Sequence, residues 1–462
     1  MKINMKIIEA LFAVMMGLCA IPALAALPLS ADEAKQLGGP ELTLFGSEKA
    51  GNKEGTIPEY TGEGVKTPPG WDPKKPGRRP DPFGEKPLFS ITAANANQYA
   101  DKLDKMIEVF KRHPDFRMDV YPSHRTATYP KYVIDNTVKN ATACKTIDRE
   151  LKIEGCYGGI PFPLPKTGAE VMWNHVLVYR GLTIFGKGES WVIPTSGDPV
   201  LKGRGNYLNN YPFFDPEKPT PRPSDTLYYR YLGVDEAPAR VVGYKILLFD
   251  STDLAVPRRV YIYLPGQRWT KLAADFSYDS PNAYSGGIGT MDDAQVFSGP
   301  LDRFDFKLVG KKEKFIYYNS FMVNDHSTCS SEKFHATKNF PNPDCIRWEL
   351  HRVYKVEATL KPEFRHIYTR RVFYFDEDKT GAGQSESYDA KGNLMRIVTN
   401  FYIPYFEIPG GFAGNHTIVD MTSGVWASQG VMTCAECGWT TNPPPVSDMT
   451  FSVGAMTGSG IR

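Results

Sequence analysis

The stretch that decides the fold of this chain is Arg347–Val398, with the sequence RWELHRVYKVEATLKPEFRHIYTRRVFYFDEDKTGAGQSESYDAKGNLMRIV. Its first arm alternates between apolar and polar residues. The apolar positions are Trp348, Leu350, Tyr354, Val356, Ala358 and Leu360. Successive side chains of a strand point to opposite faces, so this pattern predicts a half-buried antiparallel strand with Glu349 and His351 on the solvent side. Similar arms at His366–Asp376 and Leu394–Tyr402 predict a meander of long strands rather than a nucleotide-binding βαβ unit.

The N-terminus has the features of a secretory signal peptide. Lys2 and Lys6 precede an apolar run over Ile7–Ala20, and small residues flank Leu24 in Ala23–Ala25. A basic region, a short apolar core and small residues before a cleavage site are typical of such a signal. The run is shorter than the roughly 20 residues that a bilayer requires. We therefore predict cleavage after Ala25, export to the periplasm, and no transmembrane segment in the mature protein.

Charge and composition exclude some classes of partner. The chain has 54 Lys and Arg against 52 Asp and Glu, so no basic field exists to attract nucleic acid. Aromatic residues make up 13% of the sequence, with 25 Tyr and 26 Phe, which favours wide β-sheets. Strand-like segments are distributed evenly, which predicts one large, mainly β unit with insertions.

Six cysteines lie outside the predicted signal, in three pairs that are close in sequence. The pairs are Cys144 and Cys156, Cys329 and Cys345, and Cys434 and Cys437. Six cysteines allow fifteen pairings, so connectivity cannot be deduced from the sequence alone. For an exported protein we favour disulfides within each local pair.

The remaining segments give a coarse map of the chain. Ser30 and Glu33 form the pattern of a capping box, which predicts a short helix that ends at Gly38–Gly39. Apolar spacing predicts helices over Asn97–Arg112 and Lys166–Tyr179. Strands are expected at Phe116–Tyr121, Lys131–Val138, Leu227–Leu232, Ala239–Phe249, Arg258–Leu264 and Arg303–Leu308.

Two segments are predicted to be irregular. Glu48–Pro87 is rich in Gly, Pro and charge, and is expected to be either a flexible linker or an extended strap over the body. Its aromatic residues favour the strap. Pro194–Ser224 carries Gly, Asn and several prolines and is expected to be a long inserted loop. We predict a signal peptide at 1–25, a helix and strap at 26–90, a main domain at 91–440 and a tail at 441–462.

No motif in the sequence supports catalysis. Gly181–Gly188 resembles a phosphate loop, but Gly188 stands where such a loop needs a Ser or Thr for magnesium. Cys434 and Cys437 have the spacing of a redox motif, but lack the βαβ context, so a structural disulfide is favoured. The GxSxG, HExxH and GxGxxG motifs are missing from the sequence. We therefore predict a protein that is not an enzyme and that has no cofactor.

Histidine and cysteine residues near one another raise the question of a zinc site. His326, Cys329, His335 and Cys345 could be imagined as four ligands, but their spacing fits no known closed zinc module. A disulfide between Cys329 and Cys345 is the better explanation in an oxidising compartment. We predict that the protein has no metal site.

Several long phrases together resemble a family of Gram-negative periplasmic proteins of unknown function, also described as outer-membrane lipoprotein-sorting-like. The phrases are LGGPELTLFGSEKAGNKEGTIPEYTG (Leu37–Gly62), DPFGEKPLFSITAANANQYADKL (Asp81–Leu103), GGIPFPLP (Gly158–Pro165), DRFDFKLVGKKEKFIYYN (Asp302–Asn319) and RWELHRVYKVEATLKPEFRHIYTRRVFYFDED (Arg347–Asp378). The resemblance implies a fold similar to the carriers LolA and LolB, a curved antiparallel half-barrel with helices packed in its concave side. It also implies an association with outer-membrane proteins or export pumps.

A curved sheet with large inward side chains offers an apolar concavity, which is the usual form of a ligand site. We therefore predict a periplasmic binding or carrier protein for a hydrophobic ligand such as a lipid, sterol, terpene or hydrocarbon. The predicted inner wall consists of Phe304, Phe306, Trp348, Leu350, Tyr354 and Val356. Two alternatives stay open: a scaffold subunit of an envelope complex, and a hydrolase that acts on an envelope lipid or polysaccharide.

Overall fold

The computed structural model describes residues 28–273, 276, 278–444 and 446–458. The predicted signal peptide lies outside these residues. The strands in chain order are β1 (Phe89–Ile91), β2 (Met118–Val120), β3 (Lys145–Ile147), β4 (Lys152–Glu154), β5 (Thr183–Ile193), β6 (Val200–Asn210), β7 (Leu227–Ala237), β8 (Lys245–Ser251), β9 (Arg259–Leu264), β10 (Trp269–Leu272), β11 (Phe304–Tyr317), β12 (Trp348–Leu360), β13 (Arg370–Asp376), β14 (Gly383–Tyr388), β15 (Leu394–Asn400), β16 (Ile403–Pro404), β17 (Gly411–Phe412), β18 (His416–Asp420), β19 (Trp426–Val431) and β20 (Gly438–Thr441).

The α-helices are short and lie mainly in the N-terminal part of the chain. They are α1 (Ala31–Ala34), α2 (Ala100–Leu103), α3 (Ile107–Arg112), α4 (Lys131–Ala143), α5 (Gly168–Val176), α6 (Ser331–Phe334) and α7 (Val453–Gly458). The predicted capping box at Ser30 and Glu33 is confirmed at the start of α1. No helix among the described residues is long and apolar enough to cross a membrane.

A single sixteen-stranded sheet dominates the structure, and it is open. Thirteen of its strands run in the order β11, β12, β13, β14, β15, β18, β19, β5, β6, β7, β8, β9, β10; β1 and β2 join the sheet at β12, and β20 pairs with β5. Nearly all neighbours are antiparallel; the exception is the contact of Trp348 in β12 with Val120 in β2. Within the described residues, the two end strands β11 and β10 do not pair, so the sheet does not close into a barrel.

The sheet curves around one hydrophobic core. Tyr317 of β11 stacks on Phe401 at 4.7 Å, Phe401 contacts Phe334 at 6.1 Å, and Phe334 contacts Trp426 of β19 at 5.9 Å between ring centroids. On a flat sheet β11 and β19 would be about 30 Å apart, because neighbouring strands are spaced by about 4.8 Å. A chain of three ring contacts across that distance requires strong curvature. The predicted mainly β, antiparallel half-barrel is therefore confirmed.

Helices α4 and α5 fill part of the inner side. The capping box of Thr167 and Glu170 starts α5, and its Trp173 is fully buried in the core. A Cβ on Gly168 would lie 2.5 Å from the backbone of Phe306, so only glycine allows α5 to approach β11 this closely.

The expectation of a strand at Lys131–Val138 is wrong, because these residues begin α4. The buried positions of α4 recur at helical spacing, at Val133, Asn136, Thr137, Asn140 and Ala141. The polar residues on this face hydrogen-bond backbone groups of the loop that follows. For example, Asn140 donates from Nδ2 to the carbonyls of Tyr157 and Ile160. Because the buried face of α4 includes polar residues that bind the following loop, the sequence shows no apolar period typical of a helix there.

The predicted helix over Asn97–Arg112 is present only in pieces. It is interrupted at Asp104, which has a positive φ of 50°. The carboxylate of Asp104 accepts hydrogen bonds from the ammonium groups of Lys312 and Lys314 on β11, at 2.7 and 3.3 Å. These long-range ion pairs outweigh the local preference for a continuous helix.

Pro194–Ser224 is not an irregular loop throughout, as had been expected. It contains β6, which pairs along its length with β5 on one side and β7 on the other. The sequence of β6 is rich in Gly and Asn and lacks apolar alternation, so the backbone hydrogen bonds of two neighbouring strands, rather than side-chain burial, define it.

Two peripheral segments lie against the sheet. Arg79, in the Gly- and Pro-rich N-terminal segment, is 1% exposed and stacks over Trp439 at 4.4 Å. At the other end, Phe451 and Met456 pack on the outer face of β8 and β9 against Leu247 and Tyr263.

The predicted disulfides are confirmed. Cys144 bonds Cys156, Cys329 bonds Cys345, and Cys434 bonds Cys437.

Candidate functional site

The candidate site is a chamber of about 190 Å³ on the inner side of β6, β7 and β8. Half of the twenty lining residues are aromatic or aliphatic. These residues are Tyr207, Tyr229, Tyr231, Ile246, Leu248, Phe276, Tyr284, Met291, Ala294 and Phe412. Several of the rings are only half-buried, so that solvent reaches the chamber. A concave, mainly apolar space of this kind is the usual form of a small-molecule site.

The floor of the chamber is a ladder of side chains across neighbouring strands. Asn209 lies opposite Tyr231, and Tyr231 opposite Leu248. The alternate residues point away: Leu232 pairs with Leu247, and both pack under the C-terminal helix α7. The two faces of these strands therefore differ, since a helix covers the outer one and the inner one lines the chamber.

The other walls come from distant parts of the chain. Phe276 and residues 282–298 form one side, and residues 412–416 and 429–430 form the other. The two sides are joined by the Asn282 amide, which donates to Gln429 Oε1 at 3.3 Å. The Gln295 N–H also lies 3.4 Å from His416 Nδ1. The chamber exists only because three separated segments meet over the floor strands.

One wall carries polar atoms without partners. Asn415 Nδ2, His416 Nε2 and Gln429 Nε2 are buried and have no hydrogen-bond partner at normal distance among the described residues, although the His416 side chain interacts with that of Gln429. The three side chains line the chamber and are 1%, 2% and 7% exposed. The three nitrogen atoms themselves lie within the wall and are not accessible from the chamber.

The chamber is close to electrically neutral. Burial lowers the pKa of His416 to about 4, so the imidazole is uncharged at neutral pH. Arg258, at one end, forms a bidentate ion pair with Asp250 at 2.7 and 2.8 Å and donates to Ser298 Oγ at 3.0 Å. Its charge is therefore compensated within the protein.

A smaller groove of about 160 Å³ adjoins the chamber and shares Tyr207, Tyr231 and Tyr284 with it. Asp235 lies in this groove and accepts a hydrogen bond from Tyr284 at 2.8 Å. Burial raises the pKa of Asp235 to about 6 and outweighs the opposite effect of that hydrogen bond. The chamber and the groove together form a continuous inner tract.

The six predicted wall residues lie in the main core, away from this chamber. Trp348, Leu350, Tyr354 and Val356 are buried in it, and the ring of Trp348 packs against Tyr317 at 4.3 Å. Phe304 and Phe306 line a separate cavity of about 400 Å³ together with charged residues such as Glu150 and Lys361. Contact of the six residues with a ligand stays a prediction.

The expectation that Glu349 and His351 face water is wrong. Both are at most 1% exposed, and His351 lies between Glu349 and Asp376 at 3.1 and 3.2 Å. Arg347 pairs with the other carboxylate oxygen of Glu349. Opposite charges within the sheet satisfy one another, so a polar face can be buried.

The same cluster includes a grouping with the chemistry of a metal site. Ligand atoms of His351, Asp376 and Asp378 lie within 4.8 Å of one another. Both carboxylate oxygens of Asp378 already accept from the Arg125 guanidinium, at 2.6 and 2.7 Å. Since Arg125 already supplies positive charge there, these residues are satisfied as an ion network. A second grouping of potential metal ligands consists of Glu189, Cys434 and Cys437, but the two cysteines are bonded to each other in a disulfide.

The fold and the chamber define a class of protein: an open antiparallel half-barrel with an apolar inner chamber. A model of the family described as "Protein of unknown function (DUF1329)" matches residues 90–457. An uncharacterized protein of Pseudomonas aeruginosa is 35% identical over 447 residues, which is 94% of each chain. The chain belongs to the DUF1329 family, and the resemblance to a family of unknown function is confirmed.

Two solved structures show a more distant similarity. A DUF1329 family protein from Desulfovibrio piger is 15% identical, covers 63% of this chain and 97% of its own, and superposes with a TM-score of 0.41. A LolA superfamily protein from Nitrosomonas europaea is 10% identical, covers 63% of this chain and 100% of its own, and gives a TM-score of 0.36. Similarity at this level carries no argument about what this chain binds.

Proposed function

We propose that this protein binds an apolar ligand in the chamber on β6, β7 and β8, and carries that ligand through the periplasm at the outer membrane. The observation that supports this proposal is the chamber itself, which combines a tyrosine and aliphatic lining with the polar side chains of Asn415, His416 and Gln429 on one wall. Burial of an alkyl chain there would contribute about 0.8 kcal/mol for each methylene removed from water.

The location is part of the proposal. The predicted signal peptide and three disulfides favour an oxidising compartment outside the cytoplasm. A carrier that moves between membranes must shield its cargo from water, and the half-barrel offers an inner space for this. An outer-membrane protein or an export pump would then receive or supply the ligand.

The proposal moves the main ligand contacts from the predicted wall to the chamber. Trp348, Leu350, Tyr354 and Val356 then support the chamber from within the core. Phe304 and Phe306 line their own cavity, whose lining carries several charges.

A chamber-filling variant tests the proposal. In Leu248→Trp the larger ring would occupy the space above the floor, since Leu248 is on the chamber side of β8. We expect binding of the fluorescent probe N-phenyl-1-naphthylamine to weaken at least tenfold. We also expect lipids or other hydrophobes that copurify with the wild type in native mass spectrometry to disappear.

Leu272→Trp is the matched control, because Leu272 is 58% exposed on the edge strand β10. It should bind the probe like the wild type. The proposal is overturned if the wild type neither binds the probe nor copurifies with any hydrophobe. It is equally overturned if Leu248→Trp, folded by circular dichroism, binds as well as the control.

A further inference from the structure

The free edge of the sheet carries exposed apolar side chains that lie outside the chamber. Among the described residues, the last strand β10 pairs only with β9, so its other side is open. Trp269 and Leu272 are the first and last residues of β10, and they are 56% and 58% exposed. Val242, in the turn between β7 and β8, is 51% exposed.

The turn that carries Val242 and the turn that leads into β10 are neighbours. Lys245 at the start of β8 pairs with Tyr263 near the end of β9, so both turns lie at the same end of the sheet. A Cβ atom on Gly243 in the first turn would lie 3.4 Å from Cβ of Pro265 in the second, which places the two turns in contact. We call this surface the tip patch, and its exposed residues are Arg240, Val242, Arg268, Trp269, Lys271 and Leu272.

The charged side chains of the tip patch are all positive. Residues 237–249 and 254–273, which include both turns and the strands β8 to β10 apart from the end of β8, contain no Asp or Glu. Arg240 donates to the Leu201 carbonyl at 2.9 Å, a contact that leaves its charge in place. Glu236, the exposed acid nearest to the first turn in sequence, pairs with Lys187 at 2.7 Å. The tip patch is therefore complementary to a negatively charged surface.

An open strand edge is also a place where a second copy of the chain can pair, but β10 is poorly suited to this. It has only four residues, and Lys271 is one of them. Short edge strands with lysine are typical of edges that are protected against pairing with another sheet. The positive charge of the tip patch would also repel the same patch on a second copy.

We propose that the tip patch binds the surface of a membrane that contains anionic phospholipid. Arg240, Arg268 and Lys271 would attract the lipid phosphates. Trp269 and Leu272 would enter the layer between the head groups and the acyl chains. Tryptophan favours this layer, because its ring is apolar while its N–H is polar.

The tip patch and the chamber lie on connected parts of the sheet. Ile246, which lines the chamber, lies opposite Ile262 of β9, and Ile262 lies opposite Lys271 of β10. The chamber side of the sheet therefore continues to the edge that would face the membrane. The membrane contact goes beyond the proposed function, since it uses a different surface and does not depend on what the chamber binds.

Vesicle binding tests this proposal. The mature chain is mixed with vesicles of phosphatidylcholine alone, or with vesicles in which roughly one-third of the lipid is phosphatidylglycerol, at about 0.1 M salt. Flotation measures the bound fraction. We expect at least tenfold stronger binding to the anionic vesicles, because each cation near such a surface contributes about fivefold. This preference should disappear at about 1 M salt, where charges are screened.

Arg268→Glu removes one cation of the tip patch and should weaken binding to the anionic vesicles at least fivefold. Arg259→Glu is the matched control. Arg259 is also an exposed arginine, at the start of β9 and about 20 Å along the strand from the turn that carries Arg268. Because this separation exceeds the Debye length of about 10 Å, the control should change binding by less than about twofold.

Leu272→Ser tests the apolar part of the patch and should weaken vesicle binding about tenfold, since the leucine would no longer be removed from water. Leu88→Ser is its control. Leu88 is 64% exposed, and its N–H donates to the Val120 carbonyl of β2, so it lies beside a different strand of the sheet. It should bind vesicles like the wild type.

The outcomes separate this proposal from the proposed function. The membrane contact is overturned if the wild type binds neither kind of vesicle or binds both equally, or if a control variant loses as much binding as its partner. It is also overturned if sedimentation shows a dimer that Leu272→Ser dissociates, since the patch would then join two copies. Retained binding of N-phenyl-1-naphthylamine without vesicle binding overturns only the membrane contact. Vesicle binding without probe binding overturns only the proposed function.

Discussion

At the scale of single residues, His351 shows how neighbours determine the chemistry of a buried group. Burial by itself would lower the pKa of this imidazole. Hydrogen bonds to Asp376 and Glu349, and their charges, outweigh the burial and raise the pKa to about 9. For Glu349, burial would raise the pKa, but Arg347 and His351 hold it at about 2. The pair is charged near neutral pH.

The first prediction concerns the pH dependence of stability. The pKa of His351 is about 9 in the folded protein, above its ordinary value of 6.5. The contribution of His351 to the unfolding free energy is therefore fully present below about pH 6.5 and is lost as the pH rises through 9. In urea unfolding, we expect the loss of unfolding free energy in His351→Gln to be larger at pH 6 than at pH 9.5, by on the order of 2 to 3 kcal/mol.

The control for this prediction is His113→Gln. Burial lowers the pKa of His113, so that its neutral form prevails over the whole interval from pH 6.5 to 9. The difference in unfolding free energy between His113→Gln and the wild type should not shrink across that interval. If His351→Gln loses the same unfolding free energy at pH 6 and at pH 9.5, the imidazole is not held protonated by its two carboxylates.

The sequence predicted the alternation around His351 but not the burial of both faces. Period-two alternation assigns residues to faces, and the faces of β12 are as predicted. What the pattern cannot show is that Arg347, Arg125 and Asp376 converge on the polar face from other positions. Charged residues indicate solvent only when no opposite charge from elsewhere in the fold meets them.

At the scale of elements, the Gly- and Pro-rich segment at 48–87 is held by several anchors, among them Tyr60, whose hydroxyl donates to the Ala127 carbonyl, and Glu85, which pairs with Arg347. Arg79 is a further anchor: it pairs with Glu407 and lies over the rings of Trp439, Phe406 and Trp71 at 4.4, 5.7 and 5.8 Å. The segment has no helix or strand of its own among these residues, so its position depends on such side chains.

The second prediction is that Arg79→Ala releases this segment. The variant loses a buried ion pair and the cation–π contacts, which is expected to lower the unfolding free energy by about 2–4 kcal/mol. Limited trypsin digestion should then cut after Lys74 or Arg78 well before the rest of the chain. Arg78→Ala, at an exposed neighbouring position, should remain as resistant to cleavage outside position 78 as the wild type.

Elements with a strong local sequence pattern were predicted well. Elements whose formation depends on contacts with distant residues were not. Helix α5 and the strands β7 and β9 follow their sequence patterns. The strand predicted at Ala239–Phe249 begins only at Lys245, because Ala239–Val241 form a 3-10 helix, and the prediction for β11 covered only its first part. Strand β6 was missed because glycines and asparagines carry no apolar period, and α4 because its buried face is polar. In both cases the deciding interactions are with residues far away in the sequence.

At the scale of the whole molecule, an open sheet has two faces to cover. On β8 and β9 the outer face is covered by the C-terminal segment, where Met456 is 1% and Phe451 is 5% exposed. Lys245 also donates from Nζ to the carbonyl of Met456 at 2.7 Å. This cover allows the same strands to present their other face to the chamber.

The third prediction concerns that cover. Met456→Asp would place a charge against Leu247 and Tyr263, and we expect the unfolding free energy to fall by about 3 kcal/mol. Met449→Asp, at a residue that is 75% exposed in the same segment, should change it by no more than about 0.5 kcal/mol. Chemical denaturation of both variants measures the difference. Equal stability of the two would mean that the segment does not support the sheet.

The general fold was predictable because strand patterns extend over most of the chain. The chamber was not, since its floor and side walls come from β6–β8, from Phe276 and residues 282–298, and from residues 412–416 and 429–430. A sequence pattern at Tyr229 and Tyr231 indicates two side chains on one face. It does not indicate which distant loop leaves a space above them.

The order of the strands also has a consequence for how the protein folds as it is synthesised. Ile193 in β5 pairs with Trp426 in β19, so the middle of the sheet joins residues that are synthesised at very different times. Sheets built from such distant pairs form slowly, and their early strands stay uncovered meanwhile. Tyr229 and Leu248 are made long before His416 and Gln429 can meet them. The growing chain therefore needs protection for its uncovered strands, and the chamber forms only when the chain is almost complete.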